Sequence, residues 1–139
     1  MAKGYFLVKS EPNVYPWQKL YTDKKAVWDG VRSFEARNNL RAMKKGDLVL
    51  FYHSNIGKEI VGVATVSNEA YADPTATEGD WSAVELAPKK ALSEAVTLAQ
   101  IKADKKLSEI ALIKRSRLSV VSIRPAEFEH ILTLGKTKL

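Results

Sequence analysis

The residues of this chain best equipped for chemistry are its tryptophans and arginines. Trp28 and Trp81 each stand at the edge of a loop among polar and charged neighbours. The first lies in Val27-Trp28-Asp29-Gly30-Val31-Arg32 and the second in Gly79-Asp80-Trp81-Ser82. An indole in such company can offer its flat π face to a planar ligand, and base–aromatic stacking contributes roughly 1–3 kcal/mol per base. The same residues would serve equally as apolar packing, the commonest use of tryptophan, and both uses stay open at this point. Trp17, in a proline-bounded turn beside Leu20, reads as core. Arg32, Arg37 and Arg117 lie inside motif-like segments, where a planar guanidinium is a good phosphate ligand; surface or internal ion pairs are the alternative. The lysines fall instead in pairs, such as Lys44-Lys45 and Lys89-Lys90, in expected turns and helix faces.

Enzymatic readings fail on residue type and spacing. Cysteine is absent, which removes thiolate nucleophiles, disulfide frameworks and cysteine-based zinc sites together. His53 and His130 have no metal-ligand spacing, and His53 directly precedes Ser54, so on a strand the two side chains would face opposite ways. Metalloprotease, P-loop, dinucleotide-binding and nucleophile-elbow patterns are missing. The expectation is a binding protein without cofactor or metal. With 22 Lys plus Arg against 16 Asp plus Glu the chain carries +6, which favours a polyanionic partner, a nucleic acid, through phosphate contacts and counterion release. No apolar run approaches the roughly 18 residues of a membrane span, and the apolar stretch Tyr5–Val8 is too short for a signal-peptide core. A cytoplasmic address is expected, or a nuclear one in a eukaryote, and not secretion.

Positioning these side chains falls to strands mixed with short helices. Tyr5–Lys9 predicts a strand that Pro12 and Pro16 stop, followed by a turn or short helix through Trp17–Leu20. Ser33 is placed to cap a helix from Phe34 to Met43, with Gly46 in the stop signal. Leu48–His53 reads as a buried strand and Ile60–Val66 as its hairpin partner, Gly62 marking a bulge or a close backbone approach. Asn68–Gly79 reads as a long loop, a lid or rim that delivers Trp81 to a strand over Ser82–Leu86. A capping box at Thr97 and Gln100 starts a helix to about Asp104; a second helical pattern covers Leu107–Ile113, and strand character returns over Leu118–Ile123. Pro125 opens a last amphipathic helix that Gly135 closes. Without a regular βαβ rhythm, the expected class is mixed α/β (α+β), a sheet curling into a small barrel within one domain spanning residues 1–139.

The order of the segments is itself distinctive. Lys9–Pro12, Trp28–Arg32 followed by Ala36–Asn38, Gly46-Asp47 leading into Phe51–Ser54, Val61-Gly62, Asp73-Pro74 and Arg117–Val120 stand as they do in EVE-domain proteins. The chain resembles that family from about Gly4 to Leu134, departing at Ser33-Phe34-Glu35, where the family more often has Asn-Tyr-Gln. The resemblance implies a PUA-like fold, a small β-barrel flanked by short helices, with a pocket related to the one in which YTH domains hold a methylated adenine. It implies a reader of modified bases, with modified cytosine in DNA favoured. An RNA-binding module is the alternative, and an enzyme acting on a nucleotide or nucleic acid ranks third. On these positions Trp28 and Trp81 become candidate cage walls, and Ser10, Asn38 and Ser119 candidates for addressing the base edge. Lys9, Arg32, Arg37 and Arg117 would hold flanking phosphates. Val31, His53, Ser54 and Leu118 would support the pocket wall. Lys9-Ser10, Trp28 and Trp81 are thus expected to converge on one concave pocket of a monomer.

Overall fold

Alternation along the first strand sets the architecture. In β1 (Tyr5–Ser10) Leu7 faces one side of a sheet and Phe6 and Val8 the other, and all three are buried, so the sheet must be covered on both faces. The computed structural model describes residues 4–139. Its sheet contains β1, β2 (Ala26–Trp28), β3 (Leu48–His53), β4 (Glu59–Ala72), β5 (Ser82–Thr97) and β6 (Val120–Ser122) in the order β2-β5-β4-β3-β1-β6. Only β1 and β3 pair in parallel; the other neighbours are antiparallel. A parallel pair needs a long crossover. Here it contains α1 (Trp17–Asp23), β2 and α2 (Phe34–Ala42), and it lays Trp17, Leu20, Leu40 and Met43 against Phe6, Val8, Val49 and Phe51. The opposite face is covered by α3 (Leu98–Ala103), a 3-10 turn at Lys105–Leu107, α4 (Ala111–Lys114) and α5 (Pro125–Leu134), through Ile101, Leu107, Leu112, Phe128 and Ile131.

Register shifts at Phe51/Tyr52 and Ile60/Gly62, with further ones along β4–β5, bend the sheet into a half-barrel. The expected mixed α/β class stands, with an open sheet rather than a closed barrel. Gly62 is both bulge and close approach: a Cβ there would lie 2.6 Å from the Trp17 ring. Local signals held where they were chemical. Ser33 Oγ accepts from Ala36 N at 3.4 Å, and Thr97 and Gln100 form their capping box.

Three expectations need correction. Asn68–Gly79 is not one long loop, because β4 continues to Ala72. There Asn68–Ala72 of β4, exposed or half-exposed, pair with the buried Ser82–Val84 of β5, and Asn68 donates to Glu85 across the strands at 3.0 Å. β5 runs on from Leu86 to Thr97 through successive bulges. The strand expected over Leu118–Ile123 shrinks to Val120–Ser122. β2, which pairs with Val84–Leu86, carries no sequence signal of its own.

Candidate functional site

A cavity of about 280 Å³ opens where the end of β1 meets β2, lined by Ser10, Val14, Tyr15, Val27, Trp28 and Asp29, among others. The turn after β1 closes when the backbone N–H groups of Val14 and Tyr15 donate to the Glu11 carbonyl at 2.9 and 2.8 Å. The Ser10 hydroxyl pins the same turn by donating to the Tyr15 carbonyl at 2.6 Å, which leaves its oxygen lone pairs as acceptors. Half-buried Trp28 meets Tyr15 and Phe51 edge-on, with ring centroids at 6.2 and 5.7 Å. Tyr15 donates to Asp23 at 3.0 Å; burial and that carboxylate push its hydroxyl up to about 12, so it stays neutral. Behind the wall, His53 Nε2 accepts the Trp17 backbone N–H at 3.0 Å and fixes the start of α1. That bond needs an unprotonated Nε2, and burial lowers the His53 pKa, with Glu59 opposing. Ser10 and Trp28 therefore line one cavity, while His53 is not among its lining residues and instead touches Trp17 and Phe51.

Trp81 is not among the residues lining this cavity. It stacks on Phe34, the first residue of α2, with centroids 5.3 Å apart and planes 13° from parallel. Gly79, at φ +88°, lets the loop pass under the indole, since a Cβ there would sit 2.6 Å from Trp81 Nε1. Arg37 lies 5.0 Å from the Phe34 centroid and 5.8 Å from that of Trp81, and Arg32 5.6 Å from Trp81. Asn38 is exposed and acts on Arg37 rather than on the cavity, its Oδ1 accepting from Nε and Nη2 at 3.3 and 3.1 Å. Asp73, only 5% exposed, joins the two loops by accepting from Gly30 N, Arg32 Nη1, Thr75 N and Thr75 Oγ1 at 2.7–2.9 Å. Burial opposes its ionisation, but those hydrogen bonds outweigh it and hold the carboxyl well below the usual carboxylate range.

Lys9 and Ser10 do not converge. Strand alternation sends Lys9 to the opposite face, where Nζ donates to the Ser116 carbonyl at 2.7 Å and Lys9 shares a separate recess with Ser54. Ser119 is half-buried and offers its carbonyl to Lys9 N at 2.9 Å, away from the cavity lining. Arg117 is exposed beside Lys114 and Arg115 around a surface recess of about 290 Å³. Val31 is buried in the crossover core, and Leu118 packs between the two cores. Sequence reasoning missed Tyr15, Asp29 and Phe34. For Tyr15 the signal was its place between Pro12 and Pro16; for Phe34 it was the departure from the family pattern.

Residues 4–134 match the family described as EVE domain. The chain belongs to the EVE-domain family. Among curated relatives, mouse thymocyte nuclear protein 1 is 33% identical over 169 residues, covering 97% of this chain and 75% of that protein. The relatives this EVE domain matches are longer, and it spans 55–75% of their length. Of solved structures, one from Rhodopseudomonas palustris superposes with TM-score 0.91 at 41% identity, covering 96% of this chain and 93% of that one. Human THYN1, solved in complex with 5-methylcytosine-containing DNA, gives 0.88 at 29% identity, covering 99% and 100%. A YTH domain from Zygosaccharomyces rouxii gives 0.61 at 19% identity over 99% and 87%, a likeness of fold alone that agrees with the PUA-like architecture.

Within this EVE domain the cavity lining combines apolar Val14, Val27 and Trp28 with two residues that carry acceptor oxygens, Ser10 and exposed Asp29. Its volume lies just below the roughly 300–1,000 Å³ typical of drug-sized ligands, a size suited to one planar ring system.

Proposed function

We propose that this EVE domain is a non-enzymatic DNA reader that takes one modified cytosine into the Ser10–Trp28 cavity. The observation that carries the reading is the makeup of that cavity: a space for one base, lined by half-buried Trp28 and by exposed Asp29, whose carboxylate would serve as the acceptor for the base edge. A carboxylate accepts from the exocyclic amine of cytosine and repels the carbonyl that thymine presents there. A 5-methyl group has Val14, Val27 and Trp28 to bury against, worth about 0.8 kcal/mol, or roughly a fourfold gain in affinity. The human relative's complex with 5-methylcytosine-containing DNA supports the same substrate class. The base must be extruded or already unpaired, which costs on the order of a few kcal/mol that flanking contacts offset. Arg117, exposed at its own recess, would supply one of those phosphate contacts.

The test is a fluorescence titration against single-stranded oligonucleotides carrying one cytosine, 5-methylcytosine, 5-hydroxymethylcytosine, adenine or N6-methyladenine, with each recovered and weighed by mass spectrometry. We expect a modified cytosine to bind roughly fourfold more tightly than cytosine, with every oligonucleotide returned unchanged. Turnover of any of them would sink the non-enzymatic reading, and equal binding of all five the claim of recognition. An RNA of the same sequence binding more tightly would move the assignment to the 2′-hydroxyl-bearing partner.

A further inference from the structure

We infer that the Phe34–Trp81 stack is a second nucleobase platform, separate from the cavity, which takes an unpaired base neighbouring the one being read. The inference rests on the base-reading assignment above. Phe34 is 67% exposed although it opens a helix that could have carried any polar residue there. A lone exposed phenylalanine means little. This one is different because it is stacked and braced. Trp81 covers one face of the ring at 5.3 Å and 13°. Arg37 is nearly equidistant from the two centroids, at 5.0 and 5.8 Å, so its guanidinium flanks the pair. Over the outer face of Phe34 it would lie much farther from Trp81 than from Phe34. That outer face is left to a ligand.

The brace is in place before any ligand arrives. Asn38 Oδ1 and the Asp80 carbonyl, the latter at 3.0 Å, hold the Arg37 fork, while Arg41 reaches Asp80 at 2.7 Å and Ser82 at 2.8 Å. Arg32 is tied to buried Asp73. Arg32 and Arg37 hold their guanidinium groups against these rings, so an anionic chain fits the patch better than a basic or neutral surface. An exposed aromatic face flanked by guanidinium groups is the arrangement that stacks bases of any sequence while neighbouring phosphates find cations. Segment 28–32 joins the two sites, with Trp28 on the cavity wall and Arg32 beside Trp81. Four residues reach at most about 14 Å, so one strand would meet both sites within a few nucleotides.

The test uses the whole chain and single-stranded oligonucleotides with one 5-methylcytosine, in which 2-aminopurine, quenched when stacked, replaces each flanking base in turn. We expect quenching at a position next to the modified base. Phe34→Ala should abolish that quenching and weaken oligonucleotide binding about 5- to 150-fold. It should leave binding of free 5-methyl-2′-deoxycytidine unchanged. An abasic residue at the quenched position should erase the difference between wild type and Phe34→Ala. Phe34→Leu, which keeps apolar bulk without a π face, should behave like Phe34→Ala. Quenching at no position, or an equal Phe34→Ala loss on normal and abasic strands, would overturn the platform. Quenching without preference for the modified base would overturn the cavity reading and leave the platform standing.

Discussion

At Gly62 even a methyl group would sit 2.6 Å from the Trp17 indole, and Trp17 packs edge-on to Phe51 at 5.5 Å, which in turn meets Trp28. Gly62 thus bears on the cavity wall through three successive contacts. Gly62→Ala must displace the indole in a buried position, and overpacking of this kind costs about 1–3 kcal/mol. Urea unfolding should show that loss with little change in m-value, and base affinity should fall with it; undiminished stability would mean that Trp17 yields freely. Substitutions on the cavity itself should separate affinity from choice. Trp28→Ala removes an aromatic wall and should cost roughly 1–3 kcal/mol for every base accepted. Asp29→Asn keeps the shape but adds an amide donor, so competition binding should show thymine admitted beside cytosine with overall affinity little changed.

Between elements, the clamp at Asp73 fixes the Gly30–Arg32 segment after β2 to the β4–β5 loop that carries Trp81. Its folded pKa lies well below the unfolded carboxylate value of about 3.9. Its contribution to stability is therefore complete above that value and is lost as pH falls below about 4 toward the folded pKa. Asp73→Asn should cost about 1.5–3 kcal/mol at pH 7, the range for hydrogen bonds to charged groups, and flatten the acid limb of the stability curve between about pH 4 and 2. Denaturant unfolding at a series of pH values checks both, and an unchanged acid limb would remove Asp73 from the account. His53, also depressed, contributes above about pH 6.5 and loses its share as pH falls below that, so the two windows are separable. Elements with their own chemistry were legible in the sequence: Leu48–His53 by its apolar run, α3 by its capping box, α5 by Pro125 and Gly135. β2 was not, because three residues cannot display a period and its pairing with Val84–Leu86 is decided across the chain. The outer end of β4 was hidden for the opposite reason, since exposed Asn68 and Glu69 there look like loop. Of the candidate site, Ser10 and Trp28 were legible as motif residues and line one cavity, whereas the parting of Lys9 from Ser10 is strand alternation and could have been foreseen. The Trp81–Phe34 stack depends on how a loop meets a helix, which no local pattern encodes.

Across the whole molecule the net +6 is unevenly available. Arg32, Arg41 and Arg115 are each held by a carboxylate, respectively Asp73, Asp80 and Glu35. Arg117 is exposed with no carboxylate within ion-pair reach among the described residues, so its charge is free for a phosphate. Affinity for oligonucleotides should therefore fall steeply with salt, each neutralised phosphate adding about 0.7 to the logarithmic slope on a single strand and about 0.9 on a duplex. Arg117→Ala should lower that slope by about one while leaving the order of preference among bases intact, because phosphate contacts position a strand without reading it. Arg32→Ala should behave differently. It strips a buried carboxylate of its partner, so the larger effect should be on folding stability, read by thermal or urea unfolding, with a smaller change in slope. Titrations of wild type and both variants at several salt concentrations separate these outcomes. A slope near zero for the wild type would mean that no phosphate is engaged, and the Ser10–Trp28 cavity would then be a small-molecule site rather than the reading head of a nucleic-acid-binding domain.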